Sequence, residues 1–198
     1  MNGSLLARVA LSVLLTSALA GCGVSTPARF YSLDSTARPE AAPPLDTSII
    51  VGPVTVPPAV DRPQFVRQVG PNRVTIDEFN RWASPLDDNV ARVVAGNLEV
   101  LLGTHDVAVS SAANFNAAYQ VEIDVERFQS SPDNSALVEA LWTVRRSTGG
   151  ASRSGHTLAH EMLRDNGFDG LVAAYSRALN QLSRDIAAAI RAEEAVKR

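Results

Sequence analysis

The clearest pattern along the chain has a period of two. From Tyr119 to Glu126, the apolar positions Tyr119, Val121, Ile123 and Val125 alternate with Gln120, Glu122, Asp124 and Glu126. That alternation predicts a strand over 119–128 with one buried and one solvated face. Residues 130–135 (SSPDNS) carry turn chemistry, 136–146 (ALVEALWTVRR) repeat the β pattern, 147–155 form a glycine-rich turn, and 156–162 read as a third strand. Short turns between consecutive strands predict an antiparallel meander. Upstream, Ile49-Ile50-Val51 begins a strand that Gly52-Pro53 interrupts and Val54-Thr55-Val56 continues. Interior proline fits an edge strand or a bulge, and an edge there would offer pairing to a second copy. Residues 61–71 (DRPQFVRQVGP) read as a crossing loop, 73–79 (RVTIDEF) as a strand, and 107–109 as a short one.

Two segments switch to helical spacing. Val90, Val93, Val94, Leu98, Leu101 and Leu102 mark one helix face, with Ser84 or Asp87 as caps at its start and Gly103 at its end. Leu171, Tyr175, Leu179, Leu182, Ile186, Ala189 and Ile190 mark a longer closing helix that fades into a charged, frayed end from Arg191 onward. The resulting order, β–β–α–β–β–β–β–α, predicts an α/β or α+β fold. Two main helices pack on a mixed, largely antiparallel sheet.

The first residues follow another logic. Val9 to Leu19 is an apolar run too short for a helix spanning a bilayer core of about 30 Å, but it has the length of a signal-peptide hydrophobic region. It closes on Leu19-Ala20-Gly21-Cys22, and Cys22 is the only cysteine. This resembles a bacterial lipobox, in which the cysteine thiol is acylated and becomes residue one. The expected organisation is a signal peptide over 1–21 and a lipidated tether with a short strand and proline-rich linker over 22–46. The folded body then spans 47–198. The anchor is a covalent diacylglycerol with an N-acyl chain on Cys22, and no other cofactor is expected. Gly23 stands where, in Gram-negative lipoproteins, aspartate retains the protein at the inner membrane, so the expected address is the periplasmic face of the outer membrane.

Composition narrows the function. Loss of Arg8 with the leader takes the formal net charge from −3 to −4, which argues against nucleic acid as a partner. A single cysteine excludes an internal disulfide and a cysteine-based zinc cluster. His156 and His160 would stand about 13 Å apart on one strand face, too far to share a metal, and the order H-x-x-x-H-E is not the zincin pattern. No nucleophile elbow or phosphate-binding loop occurs. Arg145, Arg146 and Arg153 cluster around the glycine-rich turn, where arginine suits lipid phosphate or an acidic partner. Trp82 beside Arg81 reads as packing at the start of the first helix or as an aromatic anchor at an interface.

Several motifs in order carry a wider resemblance: Phe30-Tyr31-Ser32-Leu33, Val51-Gly52-Pro53-Val54 with Pro57, Asp61-Arg62-Pro63-Gln64-Phe65-Val66, Arg81-Trp82-Ala83-Ser84-Pro85-Leu86, and the closing helix with Ala178-Leu179 and Leu182-Ser183-Arg184-Asp185-Ile186-Ala187. The mature chain resembles the PqiC-like family of ABC-type transport auxiliary lipoproteins. The resemblance implies a compact body with an anticodon-binding-domain-like, TolB-N-terminal-like topology, no enzymatic activity, and homo-oligomers. It implies an MCE-domain protein of an inner-membrane lipid transport complex as partner, with the outer membrane held through the lipid anchor. Arg62, Phe65, Trp82, Arg145, Arg146 and Arg153 are the residues expected at partner interfaces. The alternative is a lipid carrier that binds an acyl chain in a pocket of its own.

Overall fold

A computed structural model describes residues 26–109, 115–149 and 152–196. Cys22 and the leader lie outside the described residues. The elements are β1 (Arg29–Tyr31), β2 (Ile49–Thr55), β3 (Gln64–Gly70), β4 (Arg73–Trp82), α1 (Leu86–Leu102), β5 (Val107–Val109), β6 (Tyr119–Ser131), β7 (Ser135–Arg146), β8 (Arg153–Met162) and α2 (Gly167–Val196). The fold is α+β. Its strands divide into a five-stranded sheet ordered β5-β2-β6-β7-β8 and a three-stranded sheet ordered β1-β4-β3. The helices pack on the five-stranded sheet, α1 over β2 and β5, α2 over β7 and β8.

The meander forms as its alternation dictates, with β6-β7 and β7-β8 antiparallel. β6 runs to Ser131, past the expected end, because a bulge between Val125 and Arg127 resets its phase. After it, Phe128 and Ser130 turn to the buried face in place of odd-numbered neighbours. The core lies between this sheet and the helix pair. Every apolar position marked on the two helices by sequence spacing is buried there, among them Val90, Leu98, Leu179, Leu182 and Ile186.

Several expectations change. β2 is not an edge strand. It lies parallel between β5 and β6, and Gly52 (φ 126°) with Pro53 forms a bulge that shifts the register between Val51 and Val54. The proline's missing donor falls where the ladder is already interrupted, and the edge expected over Ile49 to Val56 for pairing with a second copy is covered on both sides at Ile49–Val51. Residues 61–71 are not only a crossing loop: Gln64–Gly70 is β3, hairpinned to β4 across Pro71 and Asn72. Ser84 and Asp87 do not cap α1. Pro85 occupies the N-cap without a side-chain bond, and Asn89 Nδ2 donates to the Ser84 carbonyl (3.0 Å). Asp87 and Asp88 in the first turn complement the helix dipole. At the other end, Gly103 adopts the left-handed conformation (φ 66°, ψ 33°) and its N–H returns to the Glu99 carbonyl.

The proline-rich segment after β1 is extended but not loose. Leu33 is buried, and Tyr31, Ala37 and Leu45 pack on the core. Its main fastening is Asn97 of α1, which is fully buried. The Asn97 Oδ1 accepts from Ser35 Oγ (2.7 Å) and from the backbone N–H groups of Thr36 (3.1 Å) and Ala37 (3.0 Å). Its Nδ2 donates to Ser183 Oγ of α2 (3.1 Å). One amide thus joins three chain segments. Ser176 adds to the seam by accepting from the Asp34 N–H and, through its carbonyl, from Thr36 Oγ1. The C-terminal end of α2, expected to fray from Arg191, stays helical to Val196, and Arg191 donates to the carbonyls of Pro43 and Leu101 (both 2.8 Å).

Gly155 of β8 faces Trp142 of β7 in register. A Cβ there would stand 2.1 Å from Trp142 Cζ2. The missing side chain lets the indole lie across β8 and donate from Nε1 to Thr157 Oγ1 (3.0 Å), which donates to Asp185 Oδ2 of α2 (2.6 Å).

Two stability measurements check this architecture. Asn97→Ala removes the acceptor of the half-buried Thr36 and Ala37 N–H groups, and urea unfolding is expected to show a loss of about 1–3 kcal/mol. Gly155→Ala is expected to cost about 1–3 kcal/mol through overpacking. That loss shrinks when Trp142 is first truncated to Leu, a coupling that a double-mutant cycle reads.

Candidate functional site

The first strand is β1, whose three residues pair in parallel with Asn80, Arg81 and Trp82 of β4. Tyr31 turns inward and donates to Asn80 Oδ1 (3.0 Å). Its ring meets Phe65 edge-on, with centroids 5.4 Å apart. Phe65 stacks on Trp82 (4.1 Å) and touches Phe168 edge-on (5.2 Å). Trp82 then meets Phe128 of β6 (6.1 Å), and Phe128 stacks on Tyr175 of α2 (4.0 Å, 17°). This aromatic series fastens the three-stranded sheet to β6 and α2. Phe65 and Trp82, expected at a partner interface, are 2% and 6% exposed, so both act inside the body. Arg62 is exposed and its side chain has no partner among the described residues. It borders a cavity of about 330 Å³ beside Trp82 and Leu86.

The arginines at the meander's open end are engaged. Arg145 pairs with Glu122 (3.1 Å). Arg146 lies over the Tyr119 ring (5.5 Å) and donates to Tyr119 Oη (2.9 Å) and to the Glu193 carbonyl (3.2 Å). Arg153 Nε donates to Glu193 Oε1 (3.0 Å), and Tyr119 Oη donates to Glu194 Oε1 (2.7 Å). α2 has no basic residue in its last turn, and strand arginines supply the positive charge that its C-terminal dipole favours. Burial, together with the bond to Glu194, raises the Tyr119 pKa although Arg146 opposes it.

A second arginine group went unread in the sequence. A groove of about 890 Å³ runs between residues 30–38 and the exposed side of α2. Arg177 in it pairs with Glu161 (2.9 Å) and Arg184 with Glu40 (2.5 Å). Arg38 and Arg164 have no partner among the described residues. These positions lie up to 146 residues apart, so no linear motif could have joined them. The groove is open and of mixed polar and apolar lining, unlike an enclosed acyl-chain pocket.

His156 and His160 share the outward face of β8. His156 Nε2 contacts Glu139 Oε1 (2.8 Å), and Glu139 also takes a hydrogen bond from Arg127. The bonds from Arg127 and His156 hold the Glu139 carboxyl below its ordinary pKa. Ligand atoms of Glu126, Glu139 and His156 lie within 4.8 Å of one another, so these three could hold a cation, but Glu139 already serves two donors. His160 Nε2 contacts Ser135 Oγ (2.7 Å), while Asp133 reaches that same nitrogen and Ser135 Oγ. A catalytic triad needs the acid on the other ring nitrogen and a reachable nucleophile. Ser135 is fully buried.

The family model for the ABC-type transport auxiliary lipoprotein component matches residues 31–187. The chain belongs to this family. In structure it is similar to protein XCC0632 from Xanthomonas campestris, with 18% identity, a TM-score of 0.70, and coverage of 86% of this chain and 100% of that one. A second solved structure, of an uncharacterized protein, shares 22% identity and a TM-score of 0.66, covering 83% of this chain and 99% of that one. The PelC dodecamer from Paraburkholderia phytofirmans is a more distant likeness, at 17% identity and a TM-score of 0.40, covering 78% of this chain and 90% of that one. No curated protein matches. No helix among the described residues is long and apolar enough to cross a membrane.

For a transport auxiliary lipoprotein, the motifs that carried the sequence resemblance prove to be packing elements. Tyr31, Phe65 and Trp82 are links of the aromatic series, and Leu182 and Ser183 sit at the α1–α2 seam. Tyr175 ends that series, and burial pushes its pKa well above the ordinary 10. A folded-state pKa raised in this way gives stability that is full below the unfolded value of about 10 and is lost as pH rises toward the folded one. Alkaline unfolding above about pH 10 is therefore expected to flatten in Tyr175→Phe, read as the difference in urea midpoint against pH.

Proposed function

We propose that the chain is anchored through acylated Cys22 to the periplasmic face of the outer membrane. There it docks an MCE-type ABC transport complex that moves phospholipid between the two membranes. The observation that carries this reading is the family match over residues 31–187, combined with a single cysteine placed at the end of a leader-like apolar run. The body's chemistry suits docking. Its buried apolar positions are filled by side chains, its large groove is open, and its Ser–His contact lacks the geometry of a nucleophile and base. Carriage of an acyl chain would call for an enclosed apolar space. The reading is of a non-enzymatic component, with the chemistry of nucleotide hydrolysis left to another subunit. Self-association belongs to the same reading, and β1, β3, β5 and β8 are the sheet edges that could support it.

The test is an affinity capture from detergent-solubilised envelopes, wild type beside Cys22→Ala, read by mass spectrometry. The expected result is an MCE-domain protein with the wild type and its loss with Cys22→Ala. Phospholipid recovered without any protein partner would replace the docking reading with that of a carrier.

A further inference from the structure

We propose that the outward face of the three-stranded sheet lies against the bilayer surface and sets the orientation of the anchored body. The inference rests on the reading of Cys22 as acylated.

Four large apolar side chains stand exposed on adjacent strands of this sheet: Phe30 of β1 (64%) and Val74 (58%), Ile76 (41%) and Phe79 (47%) of β4. Their sidedness follows from the pairing. Tyr31 packs inward on Phe65, so its neighbour Phe30 points outward. Phe65 faces the core opposite Asp77, so Ile76 and Val74 alternate away from it, and both are exposed. Asn80 meets Tyr31 on the inner side, leaving its neighbour Phe79 on the outer.

Charge around this face suits a phosphate-bearing surface. Arg29 precedes Phe30 and Arg73 precedes Val74, both exposed and without a partner among the described residues. Arg81, opposite Phe30, pairs with Glu78 at 3.5 Å. The one other carboxylate of β4, Asp77, is spent on local backbone. Burial alone would raise its pKa, but hydrogen bonds from the N–H groups of Asn80 and Phe79 and from the Asn80 amide outweigh that and hold it below the ordinary value. Aromatic rings with arginines at their margin suit the boundary between headgroups and acyl chains, where one end is apolar and the other wet.

Chain length selects the bilayer as the occupant. Phe30 follows Cys22 by eight residues, which span at most about 28 Å when fully extended. The strand that the tether enters is therefore held near the membrane, and this strand forms one edge of the exposed apolar face. Other exposed apolar residues, Leu141 and Leu158, lie on the five-stranded sheet and serve as an internal reference.

The test uses the lipidated chain, whose sole native cysteine is occupied by the anchor, so a nitroxide attaches only at an introduced one. Val74→Cys, Ile76→Cys and Phe79→Cys are compared with Leu158→Cys, all at exposed positions. The labelled proteins are reconstituted on vesicles of phosphatidylethanolamine with a minority of phosphatidylglycerol. Collision with oxygen and with a water-soluble nickel chelate is then read by paramagnetic resonance. The expected result is a rise in the ratio of oxygen to nickel collision at 74, 76 and 79 and none at 158. Equal aqueous ratios at all four sites on vesicle-bound protein would overturn the proposal and leave the anchor intact. Spin–spin broadening at 74, 76 or 79 that vanishes on dilution with unlabelled protein would overturn it in favour of a second copy. Protein that fails to float with the vesicles would overturn the acylation reading and this one together.

Discussion

A buried amide costs stability unless it finds partners, and the fully buried Asn97 of α1 finds them in two other stretches of chain. Its carbonyl oxygen collects the hydroxyl of Ser35 and the backbone donors of Thr36 and Ala37, and its NH₂ reaches Ser183. The extended segment after β1 has no sheet partner to absorb its donors, so it depends on this side chain. With the segment pinned, β1 is fixed against β4.

From β1 the constraint passes into the aromatic series. Tyr31, Phe65, Trp82, Phe128 and Tyr175 form consecutive ring contacts from the three-stranded sheet to α2. Aromatic pairs add about 0.5–1.5 kcal/mol each beyond the area they bury, enough to hold a small sheet that shares little backbone pairing with the larger one. At the far end, Arg146 and Arg153 tie the last turn of α2 to β7 and β8. The body is therefore braced at both ends of its long helix. Its arginine-lined groove and its apolar sheet face both include Phe30 of β1.

The meander and both helices were legible from spacing alone, since each buries one face and solvates the other. The interrupted strand 49–56 was legible as a strand but not as a central one: a proline that falls in a bulge looks in sequence like a proline at an edge. β3 was hidden because Gln64, Arg67 and Gln68 mask its alternation and only Phe65 is buried. The role of Asn97 could not be read, because a polar residue on an apolar helix face gives no sign of what will arrive from 60 residues away. Phe65 and Trp82 stood out as unusual, yet aromatic type and an arginine neighbour do not separate an interface from a core. Arg38 and Arg164 carried no signal, because their groove exists only once α2 lies beside the N-terminal segment.

The central claim is that residues 35–37 belong to the folded body. Native-state hydrogen exchange on the mature chain tests this most directly, at the amides of Thr36 and Ala37 resolved individually. The account predicts protection at both well above that of an unstructured peptide, since opening them breaks their bonds to the buried Asn97 Oδ1. Exchange at the rate of an unstructured peptide, with α1 still protected, would contradict it and return the segment to the status of a free linker.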